Sequence, residues 1–132
     1  MRQIYIAKYG GPKVLEIRSS ADPKPGPGEV LIDVKASGIN FADILARKGV
    51  YPDAPKAPCV VGYEVAGDIE AVGNGVDKKL IGTPALAITR FGGYSDKVVI
   101  GKDQFFPKPS EISYEQAASI PVAYLTAYQL VV

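Results

Sequence analysis

The chain has 132 residues, 47% of them hydrophobic, with 15 basic against 14 acidic side chains for a net charge of +1. This is the size of one ordinary domain, which buries roughly two thirds of its unfolded surface without staples, and the near-neutral balance with no Lys/Arg cluster excludes a phosphate-backbone binding face. A single cysteine, Cys59, and the absence of histidine exclude intramolecular disulfides, thiolate or imidazole zinc cages, and every triad that uses His as its base.

Met1-Arg2-Gln3-Ile4-Tyr5 runs straight into strand-like alternation, without the apolar core and cleavage site of a signal peptide, which points to a cytoplasmic location. Gln3 to Tyr9 and Val14 to Arg18, separated by Gly10-Gly11-Pro12, predict an opening hairpin. Ala21 to Gly28 carries prolines and glycines that remove ladder donors and force a stiff surface loop. Glu29 to Lys35 alternates with period two, which predicts a strand whose core face is Val30, Ile32 and Val34. At Asn40 to Lys48 the period becomes helical. Phe41, Ile44 and Leu45 form its apolar cluster, Arg47 and Lys48 suit the C-terminal end of the dipole, and Gly49 stops the turn.

Tyr51 to Pro58 is a second proline-rich connection, and Val60 to Val72 predicts a long strand ended by Gly73-Asn74-Gly75. Leu80 to Thr89 and Tyr94 to Ile100 predict two more strands, joined by Arg90-Phe91-Gly92-Gly93. Ser113-Tyr114-Glu115-Gln116 has the residue types of a capping box, opening a helix that runs to Ile120, and a second helix follows at or just after Pro121. That last segment is apolar nearly all round, a pattern for burial between two bodies. The uncharged stretch Gln116 to Val132 is interrupted by Pro121 and falls short of the roughly 20 residues that cross a bilayer. The reading is one mainly β domain with short helices.

Several motifs, in this order, carry a resemblance: Gly10-Gly11-Pro12-x-Val14-Leu15, Pro25-x-Pro27-Gly28-Glu29-Val30-Leu31-Ile32, Gly38-Ile39-Asn40-Phe41-Ala42-Asp43-x-x-x-Arg47-x-Gly49-x-Tyr51-Pro52, Gly62-Tyr63-Glu64-x-Ala66-Gly67, Gly92-Gly93-Tyr94-Ser95 and Ala117-Ala118-x-Ile120-Pro121-x-Ala123-Tyr124-x-Thr126-Ala127-Tyr128. Over its whole length the chain resembles the N-terminal GroES-like catalytic domain of the medium-chain dehydrogenase/reductases, in the zinc-independent quinone oxidoreductase branch. The segment around Asn40 and Tyr51 also resembles the vesicle amine transport protein subgroup.

The resemblance implies a GroES-like, partly open antiparallel β-barrel over residues 1–132, ending in the family's inter-domain helix. It implies an NADPH-dependent oxidoreductase that passes hydride from the nicotinamide to a quinone, an enone or another activated double bond. Asn40 and Tyr51 match positions lining the nicotinamide and substrate cleft. Asn40 and Thr126 are then the cofactor-binding candidates, and Asn40 and Tyr51 the catalytic ones. In the zinc-dependent cousins a Cys and a His stand where this chain has Gly38 and Tyr63, so no metal is expected. The family's glycine-rich nucleotide loop does not occur in these residues. Alone, the chain is expected to hold one wall of a site, to be inactive and to bind NADPH weakly or not at all, its partners being the small-molecule substrate and a nucleotide-binding domain. Gly82-Thr83-Pro84-Ala85 departs from the family's usual strand start.

Each residue also has a plainer reading. Asn40 alone is more often a helix cap than a ligand contact, although the surrounding motif reverses that preference. Tyr51 is equally a loop aromatic shielding apolar surface, and by default Thr126 returns its hydroxyl to a carbonyl of its own helix. Glu64 is either a strand-face charge or a group supporting Tyr63 from behind, the solvated charge being the default, and Cys59 is taken as a small buried hydrophobe. The alternative function for the whole chain is a non-catalytic GroES-like binding or interaction module.

Overall fold

The computed structural model describes residues 1–132. Strands β1 (Arg2–Ile6) and β2 (Leu15–Ser19) form the expected hairpin, Arg2 standing opposite Ser19 and Ile6 opposite Leu15. The other strands, β3 (Glu29–Ser37), β4 (Glu64–Val72), β5 (Pro84–Ile88), β6 (Lys97–Gly101) and β7 (Phe105–Pro107), build one antiparallel five-stranded sheet in the order β6-β3-β4-β5-β7. Three short helices complete the chain: α1 (Phe41–Lys48), α2 (Tyr114–Ala118) and α3 (Leu125–Val131). The domain is mostly β with open antiparallel sheets.

Alternation along the strands builds the main core. Val30, Ile32, Val65, Ile69, Ala85, Ala87, Val98 and Ile100 pack together on one face of the sheet; each buried Val or Ile is worth about 1.5–3 kcal/mol. The opposite face of β4 and β5 is covered by α2, whose Ala117 and Ala118 meet Ala66 and Leu86. A third cluster joins Ile6, Ala46, Cys59 and Val61, so the hairpin, α1 and the proline-rich connection share one small core. Cys59 is buried there as a small hydrophobe, and that burial pushes its thiol pKa up.

Several expectations are corrected. Leu31 is buried along with Val30 and Ile32, because β3 is a central strand of the sheet. In α1 the buried residues are Asp43 and Ala46, whereas Phe41 is 72% exposed. Hydrogen bonds, more than an apolar stripe, orient this two-turn helix. β4 starts at Glu64 and not at Val60, since Gly62 at φ +105° breaks the extended run. β5 and β6 are shorter than their predicted spans and lie apart, β5 pairing with β4 and β6 with β3. Pro84 opens β5 opposite Asp68, at a strand start where its missing N–H is tolerated.

Ser113 and Gln116 form the expected capping box, with Gln116 N–H donating to Ser113 Oγ at 3.2 Å and Ser113 N–H to Gln116 Oε1 at 2.9 Å. The helix then widens into a π turn over Ile120–Tyr124 before α3 resumes α geometry. Leu130, Val131 and Val132 are each more than four-fifths exposed, at 81%, 82% and 85%. No helix is long and apolar enough to cross a membrane.

Candidate functional site

β3 delivers the chain to Asn40, which stands at the N-cap of α1 with extended backbone, while Gly49 at φ 75° closes the helix as its C-cap. The cap is built by Asp43, whose Oδ2 accepts the Asn40 N–H at 2.8 Å. Asp43 is 4% exposed and spends both oxygens, Oδ1 accepting the Gly62 N–H at 3.0 Å and Oδ2 also accepting the Tyr94 hydroxyl at 2.8 Å. Burial first, and then the bond to Asp43, pushes the Tyr94 pKa far up. Asp43 therefore ties α1 to the turn before β4 and to the segment before β6.

The side chain of Asn40 turns to β4, where its Nδ2 donates to Glu64 Oε1 at 2.9 Å. Glu64 is not the solvated charge expected of it. It is 2% exposed, and its second oxygen accepts the Val122 N–H at 2.8 Å from the π turn. Glu64 occupies the space beside Gly38, where a Cβ would come within 2.6 Å of the Glu64 Cδ. A cysteine at position 38 and this pose of Glu64 are mutually exclusive, and no three His, Cys, Asp or Glu residues converge anywhere in the chain.

Tyr51 meets Tyr63 edge to face at 6.3 Å between ring centroids, and Tyr63 lies against Phe91 at 5.2 Å. The Tyr63 hydroxyl is buried without a hydrogen-bond partner, and burial raises its pKa. Thr126 is exposed on α3, one helical turn beyond Val122. Ser119 bonds its hydroxyl to Gln116 O at 2.8 Å, the kind of bond expected of Thr126, but Thr126 forms none. Asn40 and the π turn before Thr126 are thus brought together through Glu64, and Tyr51 is joined to Tyr63. No hydrogen bond links Tyr51 or Thr126 directly to Asn40. A cavity of about 690 Å³ opens between the β1–β2 hairpin, the end of β3 and α1; Asp43 and Tyr94 line it, and none of Asn40, Tyr51, Tyr63 or Thr126 does.

Residues 26–110 match the family model of the alcohol dehydrogenase GroES-like domain. The chain belongs to that family. The synaptic vesicle membrane protein VAT-1 homolog of Rattus norvegicus is 37% identical over 132 residues, covering 98% of this chain and 33% of that protein. The quinone oxidoreductase of Pseudomonas aeruginosa is 40% identical over 130 residues, covering 98% of this chain and 40% of that one. The crystal structure of the Escherichia coli quinone oxidoreductase complexed with NADPH superposes with a TM-score of 0.92 at 36% identity, covering 99% of this chain and 40% of that chain. This GroES-like domain therefore spans about a third to two fifths of the relatives it matches.

Sequence reasoning missed two members of the GroES-like wall, Asp43 as its anchor and Glu64 as the link to the C-terminal helix. For Asp43 a signal was available, since Asn-x-x-Asp at a helix start carries a carboxylate at N3 able to receive the cap's N–H. For Glu64 the only signal was its place one residue after Tyr63 within the glycine-flanked motif, because period-two alternation cannot distinguish a buried acid from a solvated one.

Proposed function

We propose that this chain is one wall of an NADPH-dependent oxidoreductase that delivers hydride to a quinone, enone or other activated double bond. The observation that carries the reading is the bridge from Asn40 through Glu64 to Val122, which fixes a half-exposed carboxamide beside the start of the helix bearing Thr126. The groups present suit a nicotinamide: Asn40 offers a neutral amide and Thr126 an uncommitted hydroxyl, matching the carboxamide's donors and acceptor without charge. When bound, that cofactor supplies the hydride. The chain's own residues orient the reacting groups, and the packed rings of Tyr51, Tyr63 and Phe91 offer an aromatic surface to a flat ring. Gly38 and Tyr63 supply no metal ligand, which favours a conjugated carbonyl substrate whose electrophilic carbon accepts hydride without a Lewis acid. The likeness to proteins named quinone oxidoreductase supports the same reading.

The test is to join residues 1–132 to the remaining residues of the P. aeruginosa quinone oxidoreductase and follow NADPH oxidation with quinones and enones. Turnover is expected. Its absence with every acceptor, in a folded chimera that still binds NADPH, sinks the reading. A second reading, a non-catalytic binding module, draws on the cavity bordered by Ile4, Leu15, Ile17 and Ile39, which Asp43 and Tyr94 also line but Asn40, Tyr51, Tyr63 and Thr126 do not.

A further inference from the structure

We propose that Glu64 is the positioning residue of this wall, one carboxylate setting the amide face of Asn40 and the start of the Thr126 helix together. The inference rests on the hydride-transfer reading for its functional meaning, though its geometry stands apart from it. An ionised carboxylate only accepts hydrogen bonds. With Oε1 taking Asn40 Nδ2 at 2.9 Å, the reversed amide would press oxygen against oxygen beside the buried Glu64, so Asn40 is held in the orientation that donates Nδ2. It keeps its second N–H and its carbonyl oxygen on fixed sides for any ligand.

The other oxygen reaches the π turn. In a regular α-helix the Val122 N–H would point along the axis to the carbonyl of Ala118; here Glu64 receives it at 2.8 Å. Thr126 follows four residues later on the same helical face. Asn40 and Thr126 come from distant parts of the chain, and Glu64 is the group that fixes one against the other. None of the chain's ion pairs involves Glu64, so its charge is not retained for a salt bridge. An apolar side chain of equal volume would fill the same space but leave the Asn40 and Val122 donors unpaired, which argues that the two accepted hydrogen bonds are what the carboxylate is for.

Amide spectra of the isotope-labelled 132-residue chain and of Glu64→Gln decide the matter. The glutamine keeps the volume, accepts from Val122 and donates to Asn40 Oδ1, which reverses the Asn40 amide while preserving the fold. The side-chain NH2 pair of Asn40 and the Val122 N–H are expected to shift together, with the β1–β2 hairpin unmoved. Movement of only one of the two, or of neither, overturns the proposal. In the chimera, Glu64→Gln is expected to lower kcat about tenfold with the quinone KM within about twofold, the signature of lost orientation. Unchanged kcat in an active chimera also overturns the positioning role. An inactive wild-type chimera counts against the hydride-transfer reading alone, and the spectra still decide the coupling.

Discussion

The Tyr94 hydroxyl donates a 2.8 Å hydrogen bond to Asp43 Oδ2, across 51 residues of sequence. The same carboxylate holds the N–H groups of Asn40 and Gly62, so one acid secures the cap of α1, the turn before β4 and the segment before β6. Asp43→Ala strands three donors and is expected to cost about 3–5 kcal/mol, against about 1–2 for Tyr94→Phe, which removes a single bond. Urea unfolding of the two variants checks the ranking; equal losses would mean that Asp43 does not act as a hub.

Gly38→Ala places a methyl group in the volume of the Glu64 side chain. The carboxylate must leave its pocket, and the expected loss is about 1–3 kcal/mol. Thermal unfolding reads the stability, and the Val122 amide resonance reads whether Glu64 has moved.

Asn40→Ala separates the cap from the cleft. Asp43 still receives the residue-40 main-chain N–H, so the fold is expected to survive. Turnover of the chimera is expected to fall by about tenfold to a hundredfold through lost orientation. Unchanged kinetics would return Asn40 to a purely capping role.

Much of this was legible in the sequence, for identifiable reasons. The hairpin and the limits of α1 follow from Gly10-Gly11-Pro12, Asn40 and Gly49, where local chemistry acts alone. Tertiary cover decided the rest. Alternation presumes one wet face and so assigns Leu31 outward, and an apolar-stripe reading assigns Phe41 to the buried face of α1, whose real anchor, Asp43, is polar. β7 is three residues long, too short to carry a pattern. Glu64 faces inward because the β3–α1 connection, with Gly38 and Asn40, and the π turn, with Val122, meet it from opposite ends of the chain, a convergence that no window of sequence contains.

Acid should reveal the anchoring of the N-terminus. The terminal ammonium and then Lys97 hold Asp22 at about 2, below its ordinary 3.8. A depressed carboxylate contributes stability that is fully present above its unfolded value and lost as pH falls through the folded one. Wild type is therefore expected to lose stability between about pH 4 and pH 2 faster than Asp22→Asn. Urea midpoints across that range make the comparison, and parallel curves would show that the two ion pairs of Asp22 contribute nothing.

The end of α3 carries exposed apolar side chains. Leu130 and Val131 are 81% and 82% exposed, so Leu130→Lys with Val131→Glu is expected to shift stability by less than about 0.5 kcal/mol. Light scattering against concentration is expected to show reduced self-association. No change would mean that this surface does not mediate contact between copies.

The closeness of position 38 to Glu64 also constrains how the wall can change by substitution. Any side chain at 38 is barred while Glu64 points inward, and withdrawing Glu64 alone strands the Asn40 and Val122 donors. A scan of single variants will therefore score both positions as intolerant of a change in volume. A compensated pair, with residue 38 enlarged and residue 64 shortened to match, can be milder than the sum of its parts, because the two sites share one volume and one set of hydrogen bonds. At these two positions a change of volume is penalised singly and eased jointly, whereas the volume-conserving Glu64→Gln leaves position 38 undisturbed.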